Sequence, residues 1–291
     1  MTVTTLSSSL AIALVVGLLS GAHTAIWGMY KDAMHEGFAV SRFARSVVVG
    51  GCVAVAIQMA LELPLQTAGG LLVMFGLAYA AERGLVETWK TFVREEDQSK
   101  YTIPMQFSLH GAPVTDRSIR LAAGAGYVLV VAVCLVAIAN VGQSPDGITA
   151  VKSALVGLTV GGIIAFGGAW KDAPTEGFDG RKFLRSPCLT IAFALALAQL
   201  TDSYLQIAVA AIGYERATAE TYKTFFFPSK PRGKFAGKPI RFPAMVRRRQ
   251  YFVPAYVAIW LAIIVAGAVA WRAGTQRDLR PANGYTAGAR P

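Results

Sequence analysis

The sequence predicts an all-α integral membrane protein: two parallel tandem repeats of four membrane segments each, with a short or re-entrant helical hairpin in each repeat. Three observations predict it. The chain of 291 residues is 54% hydrophobic and only 15% charged, where soluble domains carry about 25% charged residues. Its apolar residues gather into long runs. A pattern of charged and small residues also occurs twice. Lys31, Asp32, Ala33, Glu36, Gly37, Phe38, Phe43, Arg45 and Ser46 match Lys171, Asp172, Ala173, Glu176, Gly177, Phe178, Phe183, Arg185 and Ser186 at a constant offset of 140. Glu82-Arg83, Glu87-Thr88 and Lys90-Thr91-Phe92 return as Glu215-Arg216, Glu220-Thr221 and Lys223-Thr224-Phe225 at offset 133. A period of this kind takes precedence over any local reading. It divides the chain into a first membrane repeat (1–141), a second (142–271) and a disordered polar tail (272–291) rich in Gly, Pro and Ala.

The first apolar run, Leu10 to Tyr30, lacks the basic start of a secretory signal, and its stripe of small residues recurs in mid-chain. It is read as a retained transmembrane helix. Gly17, Gly21, Ala25 and Gly28 share one face, as do Gly157, Gly161, Ala165 and Gly168. Lipid gives no hydrophobic drive for helix pairing, so such stripes mark close packing; these two helices are expected to pack closely, on each other as one arrangement.

Two apolar runs follow, 47–61 and 63–81, and their second-copy equivalents shrink to 188–200 and 204–214. A straight span needs about 20 residues, so runs of 13 and 11 fall short. Either each pair is a re-entrant hairpin, or its helices continue through the charged motifs and bury some of those charges. Both outcomes put polar groups at membrane depth, where only protein or water accommodates them. The runs 119–141 and 251–271 are long enough to span.

Charge orients the chain. The segments 31–46, 82–120, 171–185 and 215–249 carry 3, 6, 4 and 10 Lys and Arg, or 23 of 28, while the opposite connections hold Glu62, Asp146, Lys152 and Asp202. The positive-inside rule places the repeated motifs in the cytoplasm and both termini outside, in a multi-pass protein of the cell membrane. Each unit crosses an even number of times, so the copies run parallel.

The turn motif has two readings. Ser46 and Ser186 suit an N-cap and Pro187 a first helical position, which would leave Arg45 and Arg185 at a helix start, where the macrodipole disfavours a cation. Their anionic partner is either the turn's own Asp32, Glu36, Asp172 or Glu176, as a structural pair, or a bound phosphate. Glu82, Arg83, Glu87 and Lys90, like Glu215, Arg216, Glu220 and Lys223, form an i,i+3/i,i+4 ladder. It is either an ion-pair lattice clamping this helix to the turn, or the lining of a polar vestibule shared by both copies. With Lys31 and Lys171, these are the candidate anion- and substrate-binding residues.

Other features carry less. His23 has Ile163 as its counterpart, and His35 and His110 are expected to face loops without metal-ligand spacing. Cys52, Cys134 and Cys188 lie far apart in apolar runs, as small core residues. No phosphate-loop, serine-hydrolase, zinc-protease or dinucleotide motif is present, so no catalytic residue, cofactor or metal is assigned. The basic, proline-rich segment 225–252 is expected to lie extended along the inner surface and meet anionic lipid, not nucleic acid. Partners are therefore the bilayer and its anionic lipids, with a homo- or hetero-oligomer in the membrane left open. Three function classes remain: transport of an anionic substrate, lipid-linked ones included; a non-catalytic membrane subunit or lipid-binding scaffold; and a membrane enzyme acting on a lipid phosphate through Asp172, Glu176 and Glu220.

Overall fold

A computed structural model describes residues 3–141, 148–227 and 233–278. The described residues form helices α1 (Val3–Glu36), α2 (Val40–Leu61) and α3 (Ala68–Thr88), the last continued by a π-helical turn, Trp89–Val93. A two-stranded hairpin, β1 (Ser108–Leu109) and β2 (Ala112–Pro113), precedes α4 (Arg117–Val141). Then come α5 (Ala150–Glu176), α6 (Gly180–Leu197), α7 (Tyr204–Phe225), the short α8 (Pro243–Arg248), a 3₁₀ turn (Arg249–Phe252) and α9 (Val253–Asp278). Among the described residues, six segments are long and apolar enough to span a membrane: Leu6–Glu36, Val40–Leu61, Ala68–Val93, Arg117–Val141, Ala150–Glu176 and Pro243–Gly274. The protein is a multi-pass, all-α membrane protein.

The hairpin of the first half is not short: both of its helices are long enough to span. Helix α2 has 22 residues, about 33 Å at 1.5 Å per residue, and with its π turn the α3 span reaches 26. Charge does not end a helix. Helix α2 begins seven residues before its apolar run and carries Arg42 and Arg45 in its first two turns. It stops where Glu62 turns left-handed at φ 47° ahead of Pro64. Thr67 then caps α3 by accepting from the Gly70 N–H at 3.0 Å. In the second half α6 has 18 residues and α7 has 22. These helices also continue through their charged motifs, the alternative to re-entry, and that charge keeps them out of the six apolar spans.

The N-cap assignments at Ser46 and Ser186 are corrected too. The caps are Ala39 and Asp179, and the Asp179 carboxylate accepts from the Arg181 and Lys182 N–H groups at 2.9 and 3.3 Å. Ser46, Ser186 and Pro187 lie inside their helices, so Arg45 and Arg185 are not at helix starts.

Small residues set the packing, though not between α1 and α5 as one reading of the stripe had it. Each pairs with the helix that follows it. A Cβ on Gly21 would stand 2.2 Å from the Ser46 carbonyl oxygen, and one on Gly161 would stand 2.0 Å from Thr190 Oγ1. Gly28 and Gly168 face nothing within 4 Å and are no part of the contact. The two halves meet where α3 crosses α7: a Cβ on Gly213 would lie 2.0 Å from the Gly76 carbonyl oxygen. Tyr79, Met74, Tyr204 and Ile207 are buried around that crossing. The α3 span is 67% buried, and those containing α4 and α9 only 11%, so α3 is central and the other two peripheral.

The basic segment is not simply extended. Pro243 opens α8 at its first turn, a place that suits an imino acid, while Pro228 and Pro231 fall outside the described residues. The tail expected from Arg272 starts later: α9 runs on to Asp278, and 279–291 lie outside the described residues.

Candidate functional site

Helices α1, α3 and α7 end, and α2 and α6 begin, on the same side of the bundle, so both charged motifs gather there. The ladder motif lies deeper than the turn motif, whose Glu176 is exposed. Glu82 and Glu215 are fully buried, and Arg83 and Glu220 are each 8% exposed. Leaving a charge unpaired there would cost several kcal/mol, so the partners decide what each residue does.

The second-half ladder is tied to its own hairpin. Ser186 Oγ donates to Glu215 Oε1 at 2.6 Å, and Arg216 donates to both Glu215 oxygens at 2.7 and 3.3 Å. Glu220 stands between Lys31 and Lys223, each at 3.7 Å. The Lys31 contact joins the first turn motif to the second ladder and so links the two halves. In the first-half ladder Arg83 bonds Glu87, and Lys90 donates to Glu87 at 3.3 Å. The carboxylate oxygens of Glu82 have no hydrogen-bond partner among the described residues; the nearest cation is Arg83 Nε at 3.8 Å.

Aromatic side chains floor this layer. The Arg83 guanidinium lies 5.4 Å from the Trp27 ring, and Lys31 lies 5.8 Å from the same ring. The Arg45 guanidinium lies 5.7 Å from the Trp89 ring and Arg94 5.6 Å. Cation–π contacts of this kind hold a charge without neutralising it. Trp27 Nε1 donates to the Tyr79 hydroxyl at 2.8 Å. Deeper in, His23 is fully buried, stacked on Tyr256 at 4.2 Å and edge-on to Tyr79 and Trp260.

The turn acids sit elsewhere, and their partners are not Arg45 and Arg185. Glu36 bonds Arg42, and at the matching position Lys182 donates to Asp172 and Glu176 at 2.7 and 2.8 Å. Asp32 and Glu36 also hold Lys234 at 2.9 and 3.3 Å. Burial pushes the Lys234 ammonium down, but these two carboxylates outweigh it and hold it above its ordinary value. Lys234 belongs to a strap, 233–242, that crosses the end of α1. Its Arg241 and Phe242 N–H groups donate to the Met34 carbonyl at 3.0 Å, and the Lys234 carbonyl accepts from the Thr102 N–H at 2.7 Å. His35, expected in a loop, is buried in the last turn of α1, its Nδ1 3.0 Å from the Pro239 carbonyl oxygen and its ring stacked on Phe235.

Of the residues singled out by sequence, Lys31, Glu82, Arg83, Glu87, Lys90, Glu215, Arg216, Glu220 and Lys223 come together, with Arg45, Ser46, Arg185 and Ser186 at the edge. Asp32, Glu36, Asp172 and Glu176 do not join them; they clamp the turns. Lys171 reaches Met105 Sδ at 3.5 Å. Trp27, Tyr79 and Lys234 were missed. The four-residue spacing of Trp27 and Lys31 on one helix was the only signal for the first, and nothing local marks Lys234. Comparison with protein-family models, characterised proteins and solved structures gives no match for this chain.

Proposed function

We propose that this protein moves an anionic substrate, lipid-linked ones included, through a pseudo-two-fold site near the cytoplasmic side of the membrane. The observation that carries this is the buried ionic layer in which α1 and α7 of different halves meet through Lys31 and Glu220. Around the carboxylates Glu82, Glu87, Glu215 and Glu220 stand Lys31, Arg45, Arg83, Lys90, Arg185, Arg216 and Lys223. Cations outnumber anions in a layer taken largely out of water, and an anion is the ligand such a layer favours.

The matching ends of α1 and α5 at Glu36 and Glu176, and the starts of α2 and α6 at Val40 and Gly180, support two parallel repeats. With α6 and α7 counted as crossings, each repeat has four segments. The charge distribution supports the ionic layer facing the cytoplasm, both termini outside, and anionic lipid around the basic segment. A reporter fused after Pro291 is expected on the outer side; a cytoplasmic reporter contradicts the orientation. Scaffold and lipid-phosphate enzyme are the competing classes. The second is disfavoured by Lys182, which occupies both Asp172 and Glu176, two of its three candidate acids.

Reconstitution into liposomes tests transport. Two probes are used: radiolabelled inorganic phosphate outside, and a fluorescent phosphatidic acid whose leaflet is read by a membrane-impermeant quencher. Movement of at least one above protein-free liposomes is expected, falling about ten-fold or more in Arg216→Gln, which strips the charge beside buried Glu215. Neither probe moving would overturn the reading.

A further inference from the structure

The Glu-Arg…Glu…Lys pattern occurs twice, but its two copies are engaged differently. In the first, Arg83 reaches one turn along to Glu87, and Lys90 donates to the same carboxylate at 3.3 Å. Both cations are spent. In the second, Arg216 stays on Glu215 at 2.7 Å, and Glu220 is left with two ammonium groups at 3.7 Å. That is an ion-pair distance and too long for a hydrogen bond. Glu220 Oε2 and Thr224 Oγ1 are buried with no hydrogen-bond partner among the described residues, on residues 8% and 5% exposed. Arg185 Nε is likewise buried and without a hydrogen-bond partner among the described residues.

Uncommitted donors therefore collect around Glu220 from two helices, Lys31 of α1 and Lys223 with the Thr224 hydroxyl of α7, and the Arg185 Nε of α6 stands at the edge of the same layer. The carboxylate keeps the two ammonium groups in place without using up their N–H bonds. Around the second copy Lys31, Arg185, Arg216 and Lys223 stand against Glu215 and Glu220, an excess of two positive charges.

From this asymmetry we infer that the second copy forms a single binding site for a phosphate monoester or free phosphate in its dianionic form, and that the first copy binds none. The inference rests on the anion-transport reading and narrows it. A monoester carries about −1.5 to −2 near neutral pH, with its second pKa near 6, which matches the local excess. A phosphodiester, with one charge, does not. Lysine ammonium groups suit phosphate as point charges, and the guanidinium and hydroxyl add directed donors.

The test is equilibrium binding to the full-length protein in nanodiscs. One arm titrates inorganic phosphate against discs of neutral lipid. Two further arms measure retention of labelled phosphatidic acid and of labelled phosphatidylglycerol. One equivalent of phosphate or of phosphatidic acid is expected, and which arm responds tells the free ion from the lipid headgroup. Affinity should fall about ten-fold or more in Lys31→Gln and Lys223→Gln, recover in Lys223→Arg, and stay within about two-fold in Lys182→Gln, which alters only the outer turn. It should also weaken as pH falls from 8 to 5 and the ligand loses its second charge. Two equivalents, equal retention of phosphatidylglycerol, or a folded Lys223→Gln that binds as before would each overturn the site. Flux that persists while these variants have no effect removes this inference alone; binding without flux removes transport and leaves the site.

Discussion

Glu215 and Glu82 occupy matching positions in the two copies, yet only Glu215 is fully served by donors. Its bond from Ser186 is buried and charge-assisted, so Ser186→Ala should destabilise the protein by about 1–3 kcal/mol. Ser46, the matching serine, makes no such bond to Glu82, and Ser46→Ala should shift thermal unfolding much less. Equal shifts would remove the distinction between the copies. The identity of these residues was legible in the sequence because they recur. Their division of labour was not, since a repeated motif says nothing of which carboxylate each arginine takes. Arg83 and Arg216 have the same neighbours in sequence and opposite partners in space. The same ambiguity misassigned Arg45 and Arg185. The cation that answers Glu36 is Arg42, one turn nearer the start of α2, because that helix begins earlier than its apolar run.

At the scale of elements, glycine governs where backbones touch. Gly213→Ala would place a methyl 2.0 Å from the Gly76 carbonyl oxygen, and forcing apart the α3–α7 crossing should cost about 1–3 kcal/mol. Gly168→Ala, with nothing within 4 Å, should be neutral or slightly stabilising through helix propensity. The readout is the unfolding midpoint in detergent; a tolerated Gly213→Ala would mean the crossing is looser than described. The stripe on α1 and α5 was readable as a packing face, but sequence periodicity does not name the partner, and each stripe serves the adjacent helix. Helix lengths failed for a related reason. Apolar run length measures contact with lipid, whereas α7 buries its charged turns against protein and α6 opens with a basic turn whose Arg181 is exposed.

Over the whole molecule, the halves are joined at three levels: the α3–α7 crossing, the ionic layer, and the strap that ties the second half to the end of α1 and to the loop at Thr102. In that loop burial pushes Glu96 up, but Lys100, Tyr101 and Arg94 outweigh it and hold its carboxyl below its usual value. A carboxyl depressed in the folded state contributes stability above its unfolded pKa of about 4.3, and that contribution is lost as pH falls through the lower folded value. Amide exchange across 94–107 should therefore quicken as pH drops below about 4, after correction for intrinsic rates; exchange unchanged down to pH 3 would contradict this. The all-α, multi-pass character was legible from composition and run length. The strap was not, because it joins residues from about 130 to about 210 positions apart through a segment with no periodic pattern.

The account depends most on the two halves sharing one ionic layer, and the Lys31–Glu220 pair is where they touch. A double-mutant cycle with Lys31→Glu, Glu220→Lys and the combined swap, read as thermal unfolding of the full chain in detergent, measures that contact. Each single change should destabilise, and the swap should recover a coupling of about 0.5–3 kcal/mol. Additivity within about 0.5 kcal/mol would mean that the two charges do not meet, and would contradict the shared layer.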